Sequence, residues 1–459
     1  MKVLLIDPPE LFLHGAGHTR QVQPLGLAYV GAAIADLADV RFLLPDTRPW
    51  IGGDPWAELV ATVRAEKPDL VGFTAVTATF RAAARFAAEL RAAFPDLPIV
   101  LGGVHASTDP AGALRGAPAV DWVIRGEGEP TLRALVLRLR DGGIRRVLAE
   151  PETLAGLWWR DDDGQVQQAP PRLPTADLDT LPAPLRDGLV WPDHIQPAFY
   201  QAMITLRGCP YKCIYCAVPN LDERRTRYRS PSHVVDEIAE LKRRWQIPYL
   251  FFHDSVFTLH KQRTLEICRL MVARGLQVPF CIQTRADRLD AELLDALLAA
   301  GLHQVFFGIE SGDADSLRRI RKATPLAQIR HAVALTRAAG VRTSGFFMVG
   351  WPWEDAALMT KTADFATSLD LDAISLFSAT PLPGTELWEL SDQDALPDSI
   401  DFRTPQVNLT TMTATAYAAA FATVKARVDA YNQQRMMASL PADLRIAWMD
   451  LPERPQGGA

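Results

Sequence analysis

Three cysteines fall within eight residues, Cys209, Cys213 and Cys216, in the run Arg207-Gly208-Cys209-Pro-Tyr-Lys-Cys213-Ile-Tyr215-Cys216. Thiolates this close in sequence converge on one soft metal centre, and three of them leave one metal position without a protein ligand. Structural zinc takes four ligands, usually in two pairs. The remaining cysteines, Cys268 and Cys281, stand alone more than fifty residues downstream. A zinc knuckle or three plain buried thiols are the alternatives to an open metal centre.

The cysteine run needs a scaffold, and the residues around it supply a repeating one. From residue 203, short apolar runs at 203–206, 249–252, 279–283, 304–309, 342–348 and 373–377 alternate with helical patterns at 232–245, 260–273, 290–300, up to 338, and 354–368. Six strand and helix units are fewer than a complete eight-stranded barrel, so a partial (β/α)6 barrel of TIM type is expected, with the cysteine loop directly after its first strand. The strand ends carry polar residues that packing alone does not need: His253-Asp254-Ser255, Gln283-Thr284-Arg285, Gly308-Ile309-Glu310-Ser311-Gly312, and Gly345 through Gly350 before Trp351-Pro352-Trp353-Glu354. Taken singly, each reads equally well as a helix cap or turn, Glu354 by meeting the positive end of its helix. Gathered from several strand ends, they point to a ligand site.

Residues 1–140 show a second βαβ rhythm, with strands at 3–6, 40–44, 70–74, 99–101 and 122–124 and helices at 25–37, 79–94 and 130–139. That pattern predicts an α/β, doubly wound parallel sheet of Rossmann-like type. The turn after the first strand, Asp7-Pro8-Pro9, has no glycine, so a phosphate-binding loop is not expected. Small residues instead gather at two neighbouring strand ends, Gly72-Phe-Thr74-Ala75-Val76-Thr77 and Gly102-Gly103-Val-His105, where a flat ligand can slide against backbone. Between the halves, a hairpin pattern around Trp158 to Gly164 and the prolines 170, 171, 174, 182 and 184 read as a linker. The predicted domains are 1–140, a linker with a small hairpin at 141–200, the barrel at 201–390, and a mostly helical region at 391–459 that is a candidate substrate lid.

The Cys-x3-Cys-x2-Cys spacing with an aromatic before the last cysteine resembles the signature of radical S-adenosylmethionine (SAM) enzymes. The resemblance implies a 4Fe-4S cluster on Cys209, Cys213 and Cys216 that chelates SAM, whose reductive cleavage yields a 5′-deoxyadenosyl radical. It also implies that Tyr215, Asp254, Ser255, Gln283, Arg285, Glu310, Ser311 and Gly350 contact SAM. The amino-terminal elements are similar to the cobalamin-binding domain of methionine synthase and of many radical enzymes. This implies cobalamin contacts from Thr74, Ala75, Val76, Thr77, Gly102, Gly103, His105, Glu127 and Gly128, the last two in the turn 125–131. The family's Asp-x-His-x-x-Gly is replaced by Asp7-Pro8-Pro9, so base-off cobalamin with no histidine lower ligand is expected. His105 is expected to bond a tail or phosphate rather than metal. Together the resemblances imply a cobalamin-dependent radical SAM methyltransferase acting on an unactivated carbon. The alternative keeps both cofactors but performs a non-methylating oxidation, cyclisation or ring rearrangement.

Composition narrows the partners. Of 459 residues, 48% are apolar and 22% charged, which suits a globular chain of two or three domains. A net charge of −6 with no basic block argues against nucleic acid and for a small-molecule substrate, such as a natural product or a pigment or lipid precursor. No run approaches the roughly 18 apolar residues of a membrane span, and the amino terminus is too short in apolar character for a signal peptide. The free cysteines suit a reducing cytoplasm. A monomer served by an electron donor such as flavodoxin or ferredoxin is expected. Tyr417, Phe421, Val424, Val428 and Tyr431 repeat at helical spacing and predict an amphipathic helix at 413–434 packed on the body.

Overall fold

The computed structural model describes residues 1–9, 22–47, 54–193, 195–221, 224–391 and 400–439. The portions of the predicted carboxy-terminal region at 392–399 and 440–459 lie outside the described residues. The chain divides into two compact units, one made chiefly of Met1–Tyr200, the other chiefly of Gln201–Pro219 and the chain beyond.

The first unit is built on a seven-stranded sheet. Its strands are β1 (Lys2–Ile6), β2 (Asp39–Leu43), β3 (Leu70–Thr74), β4 (Ile99–Gly102), β5 (Trp122–Ile124), β6 (Leu157–Arg160) and β7 (Val166–Gln168), in the order β2-β1-β3-β4-β5-β6-β7. The first five pair in parallel. Continuous apolar runs such as Val3–Leu4–Leu5–Ile6, all buried, are what a parallel sheet covered on both faces requires. Helix Phe80–Ala93 shows how the cover works: Phe80, Ala83, Phe86, Ala87 and Leu90 repeat at three and four spacings and bury one stripe on β3 and β4.

Three features depart from expectation. The hairpin assigned to the linker extends the sheet instead, because β6 pairs antiparallel with β5 in the register Trp122↔Trp159 and so gives that strand a second partner. Helix Pro55–Glu66 was not among the predicted elements, although its signal is local: Asp54 caps it by accepting from Trp56 N–H, and Pro55 occupies its first turn. The helix expected at 130–139 runs from Gly128 to Ala149 and is interrupted at Gly142 and Gly143. At the opposite edge, Phe42 N–H donates to Gly188 O and Val190 N–H to Phe42 O, so the proline-rich connection lines β2.

The second unit holds a six-stranded parallel sheet. Its strands are β8 (Ala202–Met203), β11 (Leu250–Phe252), β12 (Phe280–Thr284), β13 (Leu302–Glu310), β14 (Arg342–Val349) and β15 (Ala373–Ser378), adjacent in chain order. Between β8 and β11, strands β9 (Leu206–Arg207) and β10 (Arg227–Tyr228) form a separate antiparallel pair. The predicted first strand at 203–206 is therefore two short ones with a turn between them. Helices Pro231–Trp245, Lys261–Ala273, Ala291–Ala300, Leu326–Ala338 and Ala356–Ser368 supply the crossovers between successive strands. Serine and aspartate caps start several of them: Ser230, Asp290 and Asp355 each accept a first-turn N–H.

The carboxy-terminal helix Ala414–Ser439 packs along the edge strand β15 and the helix Ala356–Ser368. Tyr417, Phe421 and Val424 pack on Val349, Met359 and Ala363. Near its far end the Asn432 side chain accepts from Ile374 N–H at 2.9 Å and donates to Ile374 O at 2.8 Å, satisfying a residue of β15 that has no next strand.

Candidate functional site

The cysteine loop leaves β9 and returns through β10, so the pair Arg207↔Arg227 and Leu206↔Tyr228 closes its neck. Gly208 opens the loop with φ 89°, a left-handed turn that favours glycine. Asp254, buried at the end of β11, fastens the neck from below: it accepts from Thr205 N–H (2.6 Å), Thr205 Oγ1 (2.5 Å) and Leu206 N–H (3.1 Å). Burial pushes the Asp254 carboxyl up, opposed by these bonds. Tyr211, in the loop itself, lies under the Arg285 guanidinium at 3.9 Å and accepts from Arg288 Nε at 2.5 Å. The loop is thus pinned to the ends of β11 and β12.

None of the five cysteines is in a disulfide. Burial pushes the Cys216 thiol up to about 11 and raises Cys213, and each of these two feels the charge of Cys209. Lys322 works the other way on both, and Arg285 on Cys213. The donor set is therefore three closely placed thiols, whose anionic forms repel one another, beside two cations. Among the described residues no three His, Cys, Asp or Glu side chains are set to grip a single ion. Three clustered thiols fall one short of the four ligands a structural zinc takes, and with Lys322 and Arg285 beside them to offset negative charge they fit an iron–sulfur cluster that keeps one iron without a protein ligand.

Beyond the thiols, the strand ends bring together a buried ion pair and several aromatic rings. Lys322 Nζ stands 3.1 Å from Glu310 Oε1, with both side chains less than a tenth exposed. Glu310 adopts φ 74° where the pairing of β13 with β14 shifts register, and a Cβ at Gly308 would fall 2.8 Å from Lys322 Nζ. That irregularity is what aims the carboxylate inward. Burial raises Tyr215 well above the ordinary phenol range, and the nearby Glu310 carboxylate reinforces the shift. Arg285 donates to Asp287, Lys322 O and Thr324 Oγ1, while its Nη1 is buried without a partner. Gln283 and His253 are half-buried; burial lowers His253 to about 4, and its Nε2 has no partner. Ser255 is exposed, and Ser311 is buried, bonding Thr362 Oγ1 and accepting from Asp313 N–H. Gly350 (φ 92°) begins a turn in which Glu354 Oε2 accepts from Gly350 N–H and Trp351 N–H. Below these groups the sheet is aromatic: Phe251, Phe306, Phe346 and Phe377 follow one another with centroids 5.5, 5.7 and 6.1 Å apart.

The candidate face of the first unit is built differently. The ends of β3 and β4 are zipped by Ala75 N–H donating to Gly102 O and His105 N–H to Ala75 O. Gly103 sits at φ 96°, and a Cβ there would fall 2.6–2.7 Å from the Ala75 backbone and Thr74 Oγ1. Gly102 by contrast has nothing closer to its Cβ position than Phe73 O at 3.9 Å. The two loops show large apolar side chains to the outside, Val76 at 47% and Val104 at 40% exposure. His105 stacks on Phe80 (centroids 4.1 Å), shares a 3.3 Å hydrogen bond with Thr77, and is lowered to about 4 by burial. Ser107 Oγ accepts from Gly126 N–H and donates to Gly103 O, tying this pair of loops to the turn after β5. In that turn Glu127 Oε2 accepts from Thr175 N–H. Gly128 gives close approach to Val30, since its Cβ would come 3.0 Å from Val30 Cγ1. A shelf of backbone and valine, with no imidazole in Asp7-Pro8-Pro9, suits the broad face of a corrin ring.

Sequence reasoning missed Tyr211, Lys322 and Tyr417. Tyr211 lies inside the cysteine run and was within reach; Lys322 and Tyr417 meet the site only through long-range contacts.

Comparison with known proteins agrees with both halves of the geometry. Residues 203–366 match the radical SAM superfamily and residues 19–136 the B12 binding domain. The chain belongs to the radical SAM superfamily, in the group that also carries a B12-binding domain. An uncharacterized methyltransferase of Pyrococcus horikoshii is 30% identical over 393 residues, 85% of this chain and 83% of that protein. An anaerobic magnesium-protoporphyrin IX monomethyl ester cyclase of Rubrivivax gelatinosus is 30% identical over 401 residues, 86% of this chain and 70% of that one. Among solved structures, the radical SAM methyltransferase TsrM of Kitasatospora setae, with cobalamin and a 4Fe-4S cluster, shares the fold with TM-score 0.70 at 21% identity, over 86% of this chain and 75% of that chain. Among the described residues, no helix is long and apolar enough to cross a membrane.

Proposed function

We propose that this chain is a cobalamin-dependent radical SAM methyltransferase that places a methyl group on an unactivated carbon of a small molecule. The observation that carries this reading is the joining, in one chain, of three clustered thiols flanked by Lys322 and Arg285 with a separate shelf of backbone and valine at Val76 and Val104. Cys209, Cys213 and Cys216 would hold the cluster; Tyr215, Gln283, Arg285, Glu310 and Gly350 would border SAM; and Thr74–Thr77 with Gly102, Gly103 and His105 would border base-off cobalamin. When bound, the cluster and SAM supply a hydrogen-abstracting carbon radical, and cobalamin supplies a transferable methyl group.

The protein's own part is binding, orientation and exclusion of water. Lys322 and Arg285 offset negative charge gathered on the thiolates. The unpartnered Nη1 of Arg285 offers a donor to a carboxylate at the end of β12. The phenylalanine row keeps the inner wall dry, which a reactive carbon radical needs. Asp254 and Ser311, whose bonding is satisfied within the protein, support the loops that carry these groups. The electron enters from an external donor such as flavodoxin or ferredoxin.

A second reading, oxidative ring formation without methyl transfer, is favoured by the cyclase relative, which matches this chain as closely as the methyltransferase does. Mass spectrometry of anaerobic reactions with candidate metabolites separates the two. A product heavier by one CH2, a methyl in place of a hydrogen, supports methylation; loss of hydrogen with no carbon gained supports the second reading and overturns the first.

A further inference from the structure

We infer that Tyr417, on the carboxy-terminal helix, is a positioning residue for the Gly350–Glu354 turn and, through Trp351, for the cysteine loop. The inference rests on the proposal that this turn borders SAM. Tyr417 is buried (1% exposed), and its hydroxyl shares a 2.7 Å hydrogen bond with Ser378 at the end of β15. A Cβ at Gly350 would overlap that hydroxyl and fall 2.9 Å from the tyrosine ring, so the glycine is in direct contact with it. Glu354 holds the same turn by accepting from Gly350 N–H at 2.7 Å and Trp351 N–H at 3.2 Å. The turn is thus held by both a carboxyl and a phenol.

The grip continues to the cysteines. Trp351 is fully buried, stacks on Trp353 at 6.0 Å, and meets Tyr215 at 5.5 Å. Tyr215 stands between Cys213 and Cys216 in the chain. One unbroken series of contacts therefore runs from Ser378 through Tyr417, Gly350, Trp351 and Tyr215 to the cysteine loop. The helix does more than cover a sheet edge: its first turn sets where the turn after β14 stands. Asn432, on the same helix but beside Ile374, serves the edge alone.

The test uses full-length protein reconstituted anaerobically with iron and sulfide. Iron content, unfolding midpoint, SAM affinity by calorimetry, and the change in the electron paramagnetic resonance spectrum of the reduced cluster on adding SAM are measured for wild type, Tyr417→Phe and Asn432→Ala. Tyr417→Phe is expected to keep its iron, weaken SAM binding by about fivefold, the equivalent of one hydrogen bond of about 1 kcal/mol, and alter the SAM-induced spectral change. Asn432→Ala is expected to lower the unfolding midpoint without moving SAM affinity or the spectrum. Unchanged affinity and spectrum in Tyr417→Phe, or an equal loss in Asn432→Ala, would overturn the assignment. Wild-type protein that takes up a cluster but binds no SAM would overturn this inference together with the reading beneath it; wild-type binding with a silent Tyr417→Phe would overturn this inference alone.

Discussion

The two candidate sites are made from opposite materials. In the first unit the shelf is backbone, glycine and valine, with Gly103 in left-handed geometry and the loops zipped by main-chain hydrogen bonds. In the second, thiols, a buried Glu310–Lys322 pair and Arg285 crowd together in a dry setting. A site of backbone fails through shape, and a site of buried charge fails through loss of a partner. The contrast makes substitutions diagnostic of the unit they strike.

The largest expected effect is at the thiols. Cys213→Ala should abolish cluster absorbance and SAM cleavage while leaving corrinoid uptake intact; full cleavage by this variant would refute the ligand assignment. Gly103→Val should do the reverse, because its side chain would meet the Ala75 backbone. Corrinoid binding by equilibrium dialysis should fall by more than about tenfold, equivalent to roughly 1.4 kcal/mol, with iron content unchanged. Equal losses of iron in both variants would show that the two sites are not built independently.

On stability rather than ligand uptake, the large effect is Lys322→Met, which leaves the Glu310 carboxylate buried without its ion-pair partner. Removing one partner of such a pair costs about 3–5 kcal/mol, read as a lowered denaturation midpoint. Adding Glu310→Gln should restore part of the loss, and no recovery would contradict the pairing.

The smallest effects are in pH, and they run in opposite directions. Burial raises Glu354 from 4.5 to about 7, reinforced by Asp313 and Asp355 and opposed by the N–H groups of Gly350 and Trp351; the Tyr417 hydroxyl also faces it. The folded state then binds more protons, so its contribution to stability is full below about pH 4.5 and is lost as pH rises through 7. Burial lowers His105 from 6.5 to about 4, with Asp109 raising it and Arg81 lowering it. Here the unfolded state binds more protons, and the contribution is full above about pH 6.5 and lost as pH falls through 4. Unfolding midpoints across about pH 4 to 8 should lose their alkaline decline in Glu354→Gln and part of their acid decline in His105→Gln. The same slope in variant and wild type would remove the residue from the account.

The contrast also explains what the sequence made legible. Strands such as 70–74 and 122–124 coincide with the observed β3 and β5 because each is a buried apolar run bounded by polar residues, a purely local signal. The cysteine spacing and the glycines of the shelf are local as well. Helix Pro55–Glu66 and Tyr211 escaped although their signals are local; the rest of what escaped depends on partners far along the chain. The hairpin at 157–168 becomes part of the sheet only because β5 has a free side, and the helix carrying Tyr417 and Asn432 covers an edge defined some forty to sixty residues earlier. Lys322 reads as one more charge in Arg318-Arg319-Ile-Arg321-Lys322, and only the bulge at Glu310 shows that it alone is turned inward.

The most direct measurement is the loading of oxygen-free wild-type protein with iron, sulfide and a corrinoid, followed by reduction in the presence of SAM. The account predicts iron and sulfide in equal amounts, one bound corrinoid per chain, and formation of 5′-deoxyadenosine. Protein that takes up zinc but neither iron with sulfide nor corrinoid, and leaves SAM intact, would contradict it.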